Sequence, residues 1–333
     1  MNDPRSAVEP AAAVTVPEAV TALDGAPDTS TGGAHGPGPE MPKGRGAMLV
    51  PVALVIGGVV SVQFGSAVAA LLMPRAGAFG VVTLRLLVAA AVLLAVCRPR
   101  VRGHSRADWG TVVAFGVAMG AMNNLFYQAL DRIPLGIAVT LEVLGPLALS
   151  VIASRRLVNL LWAGLALVGV ALLGGAGGFG GLDLLGAGLA VAAGVMWALY
   201  IVFSARTGRR FPKADGLALA MAVAAVLSLP LGIAESGAEL AVPTTVLLGA
   251  AVALLSSVLP YTLELMALRR LPASTFALMM SLEPAIASLA GFLVLDQALS
   301  TTDALAVALV IGASVGAVRG QAGGAGRKKR RAA

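Results

Sequence analysis

Ala129-Leu130-Asp131-Arg132-Ile133-Pro134, followed by a long apolar run carrying Glu142 and Pro146, returns 138 residues later as Ala267-Leu268-Arg269-Arg270-Leu271-Pro272, with Pro284 falling on Pro146. Between and around these copies, apolar stretches recur at about the 20 residues that a helix needs to cross a bilayer. The shift covers an odd number of such stretches, so the two copies traverse the membrane in opposite directions. Inverted repeats enclose a central cavity between two pseudo-symmetric halves. The expectation is an all-α membrane protein of ten transmembrane helices, arranged as two inverted five-helix repeats.

Composition agrees. Hydrophobic residues make up 58% of the 333 residues and charged residues 12%, with a mean hydropathy of +0.88. Soluble domains carry about a quarter charged residues, so that class is excluded. The ten apolar segments span approximately 48–73, 79–97, 109–130, 134–153, 157–174, 182–204, 215–233, 244–268, 272–295 and 302–319. Residues 1–45, rich in Ala, Pro, Gly and Thr, read as a disordered tail. Residues 46–174 and 182–319 read as the two repeats, 174–181 as a glycine-rich external linker, and 320–333 as a basic tail. One cysteine, Cys97, and two histidines, His35 and His104, leave no disulfide framework or metal cluster. No cofactor is expected.

The net charge of +7 suggests nucleic acid until its distribution is read. With a cytoplasmic N-terminus, twenty of the 24 Lys and Arg residues fall in inside loops and tails, and only Arg75 and Arg132 in outside loops. That asymmetry is an insertion signal and puts both termini in the cytoplasm. No aromatic-interleaved basic patch accompanies it, so nucleic acid is not an expected partner.

The polar residues within the apolar segments need a reason. Glu142 lies eight residues beyond Pro134, about 12 Å into a core of roughly 30 Å. Glu283 lies eleven residues beyond Pro272, about 16 Å in by the same arithmetic. An ionised carboxylate at that depth costs on the order of 3 kcal/mol, and such groups face a cavity or a partner. Shifted by 138 residues, Glu142 lands one helical turn from Glu283, so the two share a face of equivalent helices. Pro146 and Pro284 follow them, and Pro260 interrupts the eighth segment; each proline frees a carbonyl and bends its helix. A buried structural role is the alternative for either acid.

Arg85 in the second segment is a candidate for binding a carboxylate, for pairing with a cavity glutamate, or for reaching the outer interface. Gln63, Asn123, Asn124, Tyr127, Tyr261 and Glu264 complete the polar set. Individually they read as interhelical hydrogen-bonding groups; together they read as a wet lumen. Trp197 and Tyr200 are either lumen aromatics or plain packing.

Ser61-Val62-Gln63-Phe64-Gly65-Ser66-Ala67, Thr83-Leu84-Arg85-Leu86-Leu87, Pro134 through Glu142 with Gly145-Pro146-Leu147, Ser256 through Glu264, and Leu271 through Ala285 carry a likeness. They resemble the EamA-type transporters of the drug/metabolite transporter superfamily, most closely the bacterial threonine/homoserine exporter subgroup. The resemblance covers residues 48–318. It implies two inverted five-helix repeats around a central cavity, alternating access, and efflux of small amino acids or related metabolites across the bacterial inner membrane. Asp296-Gln297 stands where that family usually has Gly-Glu.

The leading expectation is therefore a secondary exporter of a small zwitterionic solute, with the lipid bilayer and protons as further partners. Arg85 takes the carboxylate; Glu142 or Glu283 takes the ammonium or a coupling proton. Efflux of drugs, purines or aromatic metabolites is the alternative. An intramembrane enzyme is disfavoured, since no histidine, Ser-Lys pair or paired aspartate lies at depth. Monomer and homodimer are both compatible with the sequence.

Overall fold

The computed structural model describes the backbone over residues 45–154, 157–173, 183–212, 214–268 and 273–332. The tail before residue 45, the linker at 174–181 and the repeated Arg269-Arg270-Leu271-Pro272 lie outside the described residues. Among the described residues every regular element is helical and no strand occurs.

The first element, α1 (Arg45–Cys97), has 53 residues. Straight, it would be about 80 Å long, well over twice a roughly 30 Å hydrocarbon core. It turns instead at Gly77, where φ is 62°. A side chain is disfavoured at that φ, and a Cβ there would also collide with the Glu235 carboxylate. The turn orphans the first N–H groups of the second arm. Glu235 supplies their acceptor, taking Phe79 N at 2.6 Å and Gly80 N at 3.2 Å. The neighbouring Ser236 hydroxyl donates to the Ala76 carbonyl. The expected segments 48–73 and 79–97 are thus two arms of one clamped, kinked helix.

Next come α2 (Arg106–Leu130), α3 (Leu135–Glu142), α4 (Leu144–Ser154) and α5 (Leu157–Leu173). Ser105 and Asp108 form a capping box at the start of α2. The expected segment 134–153 breaks at Val143, three residues before Pro146. After the linker, α6 (Leu184–Arg210) starts on the N-cap Asp183, which accepts from Leu185 N and Gly186 N. Then follow α7 (Asp215–Ser236), a 3-10 turn (Gly237–Ala241), α8 (Pro243–Ala253), a π-helical turn (Leu254–Val258) and α9 (Leu259–Leu268). The last elements are α10 (Ala273–Met280), α11 (Glu283–Leu295) and α12 (Thr301–Ala332). With no proline to stop it, α12 continues through residues expected to be tail.

Packing joins the front of the chain to the back. α1 lies against α7, α8 and α9; α2 against α6 and α7; α3 against α11; and α5 against α12. The interior is rich in alanine, with Ala67, Ala138, Ala193, Ala218 and Ala290 fully buried among larger side chains such as Phe115, Tyr127 and Leu135. Large apolar side chains face outward instead, with Leu247 71% and Leu161 67% exposed. In water such an outer surface is anomalous; against lipid tails it is matched, and small interior residues let helix backbones approach. Leu49–Cys97, Leu184–Arg210, Asp215–Ala241, Leu278–Leu295 and Thr301–Arg319 are long and apolar enough to cross a membrane.

Candidate functional site

The π-helical turn is the starting point, because it exposes backbone acceptors where a regular helix would use them. Pro260 has no N–H, so the Ser256 carbonyl four residues earlier loses its helical partner. Leu259 N bonds back to Leu254 O in the wider π register, which frees the Leu255 carbonyl as well. Both acceptors are taken from α1. Ser61 Oγ donates to Leu255 O at 2.5 Å, and Arg85 Nη2 donates to Ser256 O at 3.2 Å. Gly65 permits this approach, since a Cβ there would lie 3.0 Å from that of Ser256.

Arg85 is held on three sides. Besides Ser256 O, its Nε donates to Ser257 Oγ at 3.2 Å and its Nη1 to the Tyr127 hydroxyl at 3.0 Å. The guanidinium carbon stands 5.6 Å from the Tyr127 ring centroid. Tyr127 is fully buried, and Ser256 and Ser257 nearly so. A guanidinium has five N–H donors; three are engaged here, which leaves two for another acceptor. Arg85 therefore does not reach for the interface.

Glu142 closes α3. It is half-buried, and among the described residues it joins neither a hydrogen bond nor an ion pair. The charge of Arg85 nevertheless acts on it. Its backbone is fixed from behind: Pro146 removes the N–H that would meet the Glu142 carbonyl, and Gly194 of α6 fills the gap. A Cβ at Gly194 would strike Glu142 O, and one at Gly145 would strike Gly194 O. Two glycines thus set the α4–α6 crossing that presents Glu142.

A second network lies beside the first. Asn124 Nδ2 donates to Ser228 Oγ and to Gly120 O, both at 2.8 Å, while Thr83 Oγ1 donates to Ser228 O at 2.8 Å. It ties α1, α2 and α7 together, two residues before Arg85 along α1 and one turn before Tyr127 along α2. Among the described residues the buried Asn124 Oδ1 atom has no partner, and neither has Gln63 Oε1 on α1. Orphaned buried acceptors of this kind call for an explanation, such as a water or a ligand.

The other expected residues divide. Asn123 is satisfied within its own helix, donating to Met119 O at 2.9 Å. Tyr200 packs its ring on Phe115 with centroids 5.1 Å apart, and Trp197 lies against the main core. Glu283 is buried in the first turn of α11, directly before Pro284. The side chains of Tyr261 and Glu264 lie outside the described residues. Asp296 closes α11 at φ 53°, a backbone region that aspartate tolerates. The adjacent Gln297 accepts Leu135 N at 2.9 Å, capping α3, whose N-cap Pro134 has no side-chain acceptor. Gln297 thus keeps an acceptor at its position.

Ser61, Thr83, Ser228, Ser256 and Ser257 were not singled out from the sequence. The available signal was Pro260, because counting back four residues identifies Ser256 as a free carbonyl. No group of three or more His, Cys, Asp or Glu residues able to hold a metal occurs among the described residues.

A bundle of apolar helices that holds a half-buried, partly engaged arginine whose charge acts on a half-buried carboxylate is the interior of a multi-pass membrane transporter. The chain belongs to the EamA-like transporter family, whose model matches residues 184–319. It is 38% identical over 268 residues to the threonine/homoserine exporter RhtA of Escherichia coli (strain K12), covering 80% of this chain and 90% of that protein. The corresponding protein of Salmonella typhimurium (strain SL1344) matches equally. A solved crystal structure with 24% sequence identity superposes with a TM-score of 0.54 over 80% of this chain and 96% of its own, a likeness of fold alone.

Proposed function

We propose that this protein exports small amino acids of the threonine/homoserine kind across the bacterial inner membrane, by alternating access between two inverted five-helix repeats. The observation that carries this reading is Arg85, anchored on three sides with two donors not engaged among the described residues, whose charge acts on a Glu142 that joins no hydrogen bond or ion pair among those residues. A zwitterionic amino acid complements that pair: its carboxylate meets the free edge of the guanidinium and its ammonium meets Glu142. Gln63 Oε1 and Asn124 Oδ1 supply acceptors for the remaining substrate protons. The similarity to RhtA over most of both chains supports the same substrate class.

The repeat has structural support of its own. The break at Val143 and the break at Ser281 and Leu282 fall 138 residues apart. Under that shift α3 falls on α10, α4 on α11 and α5 on α12; α5 packs directly on its counterpart α12, and α3 packs on α11, the counterpart of its neighbour α4. Both termini are assigned to the cytoplasm from the Lys and Arg distribution. Glu142 is also the candidate for a coupling proton.

A metabolite panel tests the substrate class. Cells overproducing the protein should resist inhibitory threonine and homoserine and accumulate both outside. Protection confined to nucleobases, drugs or aromatic compounds would overturn the assignment.

A further inference from the structure

A cleft of about 480 Å³ opens where α1 turns, lined by Pro74, Arg75, Glu239, Val242, Thr244 and Thr245. Its size falls within the roughly 300–1,000 Å³ of small-molecule sites. Arg75 and Glu239 face the same space with opposite charges, and among the described residues they form no ion pair with each other. α8 begins here without a cap. Its N-cap Val242 makes no side-chain bond and Pro243 has no N–H, so the Thr244 and Thr245 amides are orphan first-turn donors. Thr245 is 1% exposed, yet its hydroxyl lines the cleft and has no hydrogen-bond partner among the described residues.

We propose that this cleft is a second amino-acid site, at the mouth through which the exported solute leaves. The carboxylate sits between the Arg75 guanidinium and the first-turn amides of α8, whose positive end favours an anion. The ammonium meets Glu239, and the Thr245 hydroxyl takes a remaining polar group of the solute. The inference rests on the amino-acid export reading and on the orientation that places this end outside. It shares no residue with the Arg85 site.

The test uses the full-length protein in intact cells, with Cys97→Ser to remove the native thiol and Thr244→Cys to add one at the cleft. A charged, membrane-impermeant methanethiosulfonate reagent should label that thiol from outside. L-threonine at ten times its dissociation constant should slow labelling about tenfold, the occupancy factor of a single site. Arg75→Gln or Glu239→Gln should each remove the protection. Acetate, the carboxylate alone, should protect only while Arg75 is present. Val242→Cys gives the same readout should Thr244→Cys fail to accumulate. Labelling indifferent to threonine, protection that survives both glutamine variants, or a thiol reached only from the cytoplasmic side would each overturn the proposal. Threonine export in the same cells separates the two readings. Export without protection overturns the cleft alone, whereas absence of any amino-acid export overturns the carrier assignment.

Discussion

The break after Glu142 and the break before Glu283 occupy equivalent places in the repeated stretches, yet they present their carboxylates differently. Glu142 is the last residue of α3, half-buried and without a polar partner among the described residues. Glu283 is the first residue of α11, 7% exposed, at the positive end of a helix that begins with Pro284. A repeat that began symmetric has divided the work. One carboxylate is buried at the head of its own helix, and the other stands half-buried, open to a solute that enters near Arg85. Three residues of drift between the copies are enough to move an acid from one side of a break to the other.

Arg85→Lys strikes hardest at the unsettled side. A lysine keeps the charge but has three N–H donors and no planar fork, so meeting Tyr127, Ser256 and Ser257 leaves none for a substrate carboxylate. Hydrogen bonds to charged groups are worth about 1.5–3 kcal/mol each. Losing one from the substrate contact predicts a tenfold or larger drop in export, measured as initial efflux of labelled threonine. Gly194→Ala comes next, forcing a methyl group against the Glu142 carbonyl. Overpacking of this kind costs about 1–3 kcal/mol, so the thermal midpoint in detergent should fall clearly.

Glu283→Gln should act more weakly and on stability rather than turnover. The charge–dipole contribution at a helix N-terminus is about 0.3–1 kcal/mol, rising to about 2 when partly buried. A Glu283→Gln protein that keeps its midpoint but loses export would erase the division drawn here.

The smallest effect belongs to Asp108, whose carboxyl is held below the usual range by the Ser105 backbone N–H, then by the Ser105 hydroxyl, with Arg210 adding to both. Because the folded value is depressed, the contribution is present above the unfolded value near 3.9 and lost as pH falls through the folded one. Midpoints measured from pH 5 downward should decline, and Asp108→Asn should flatten the decline.

How much of this was legible in sequence follows from where the signal sits. Hydropathy and length identified the apolar segments, because lipid imposes both locally. The breaks were only half legible: prolines announced them, but the helix fails N-terminal to the ring, at Val143 rather than at Pro146. The π-helical turn was not legible. Its register shift depends on Ser61 and Arg85 arriving from α1 to take the freed carbonyls, which no local pattern encodes. Of the candidate residues, Arg85 and Tyr127 are in direct contact, the charge of Arg85 acts on Glu142, and Asn124 joins the adjoining network. Asn123 bonds within α2, and Tyr200 against Phe115, because each found its nearest partner first.

Efflux of labelled threonine from cells producing wild-type or Glu142→Gln protein, matched for membrane abundance, reads out whether the Glu142 carboxylate holds the substrate. Wild-type cells should release threonine faster than cells lacking the protein, and Glu142→Gln should fall to that background while the protein stays folded. Unchanged efflux with Glu142→Gln would mean that this carboxylate is structural and that the substrate is held elsewhere.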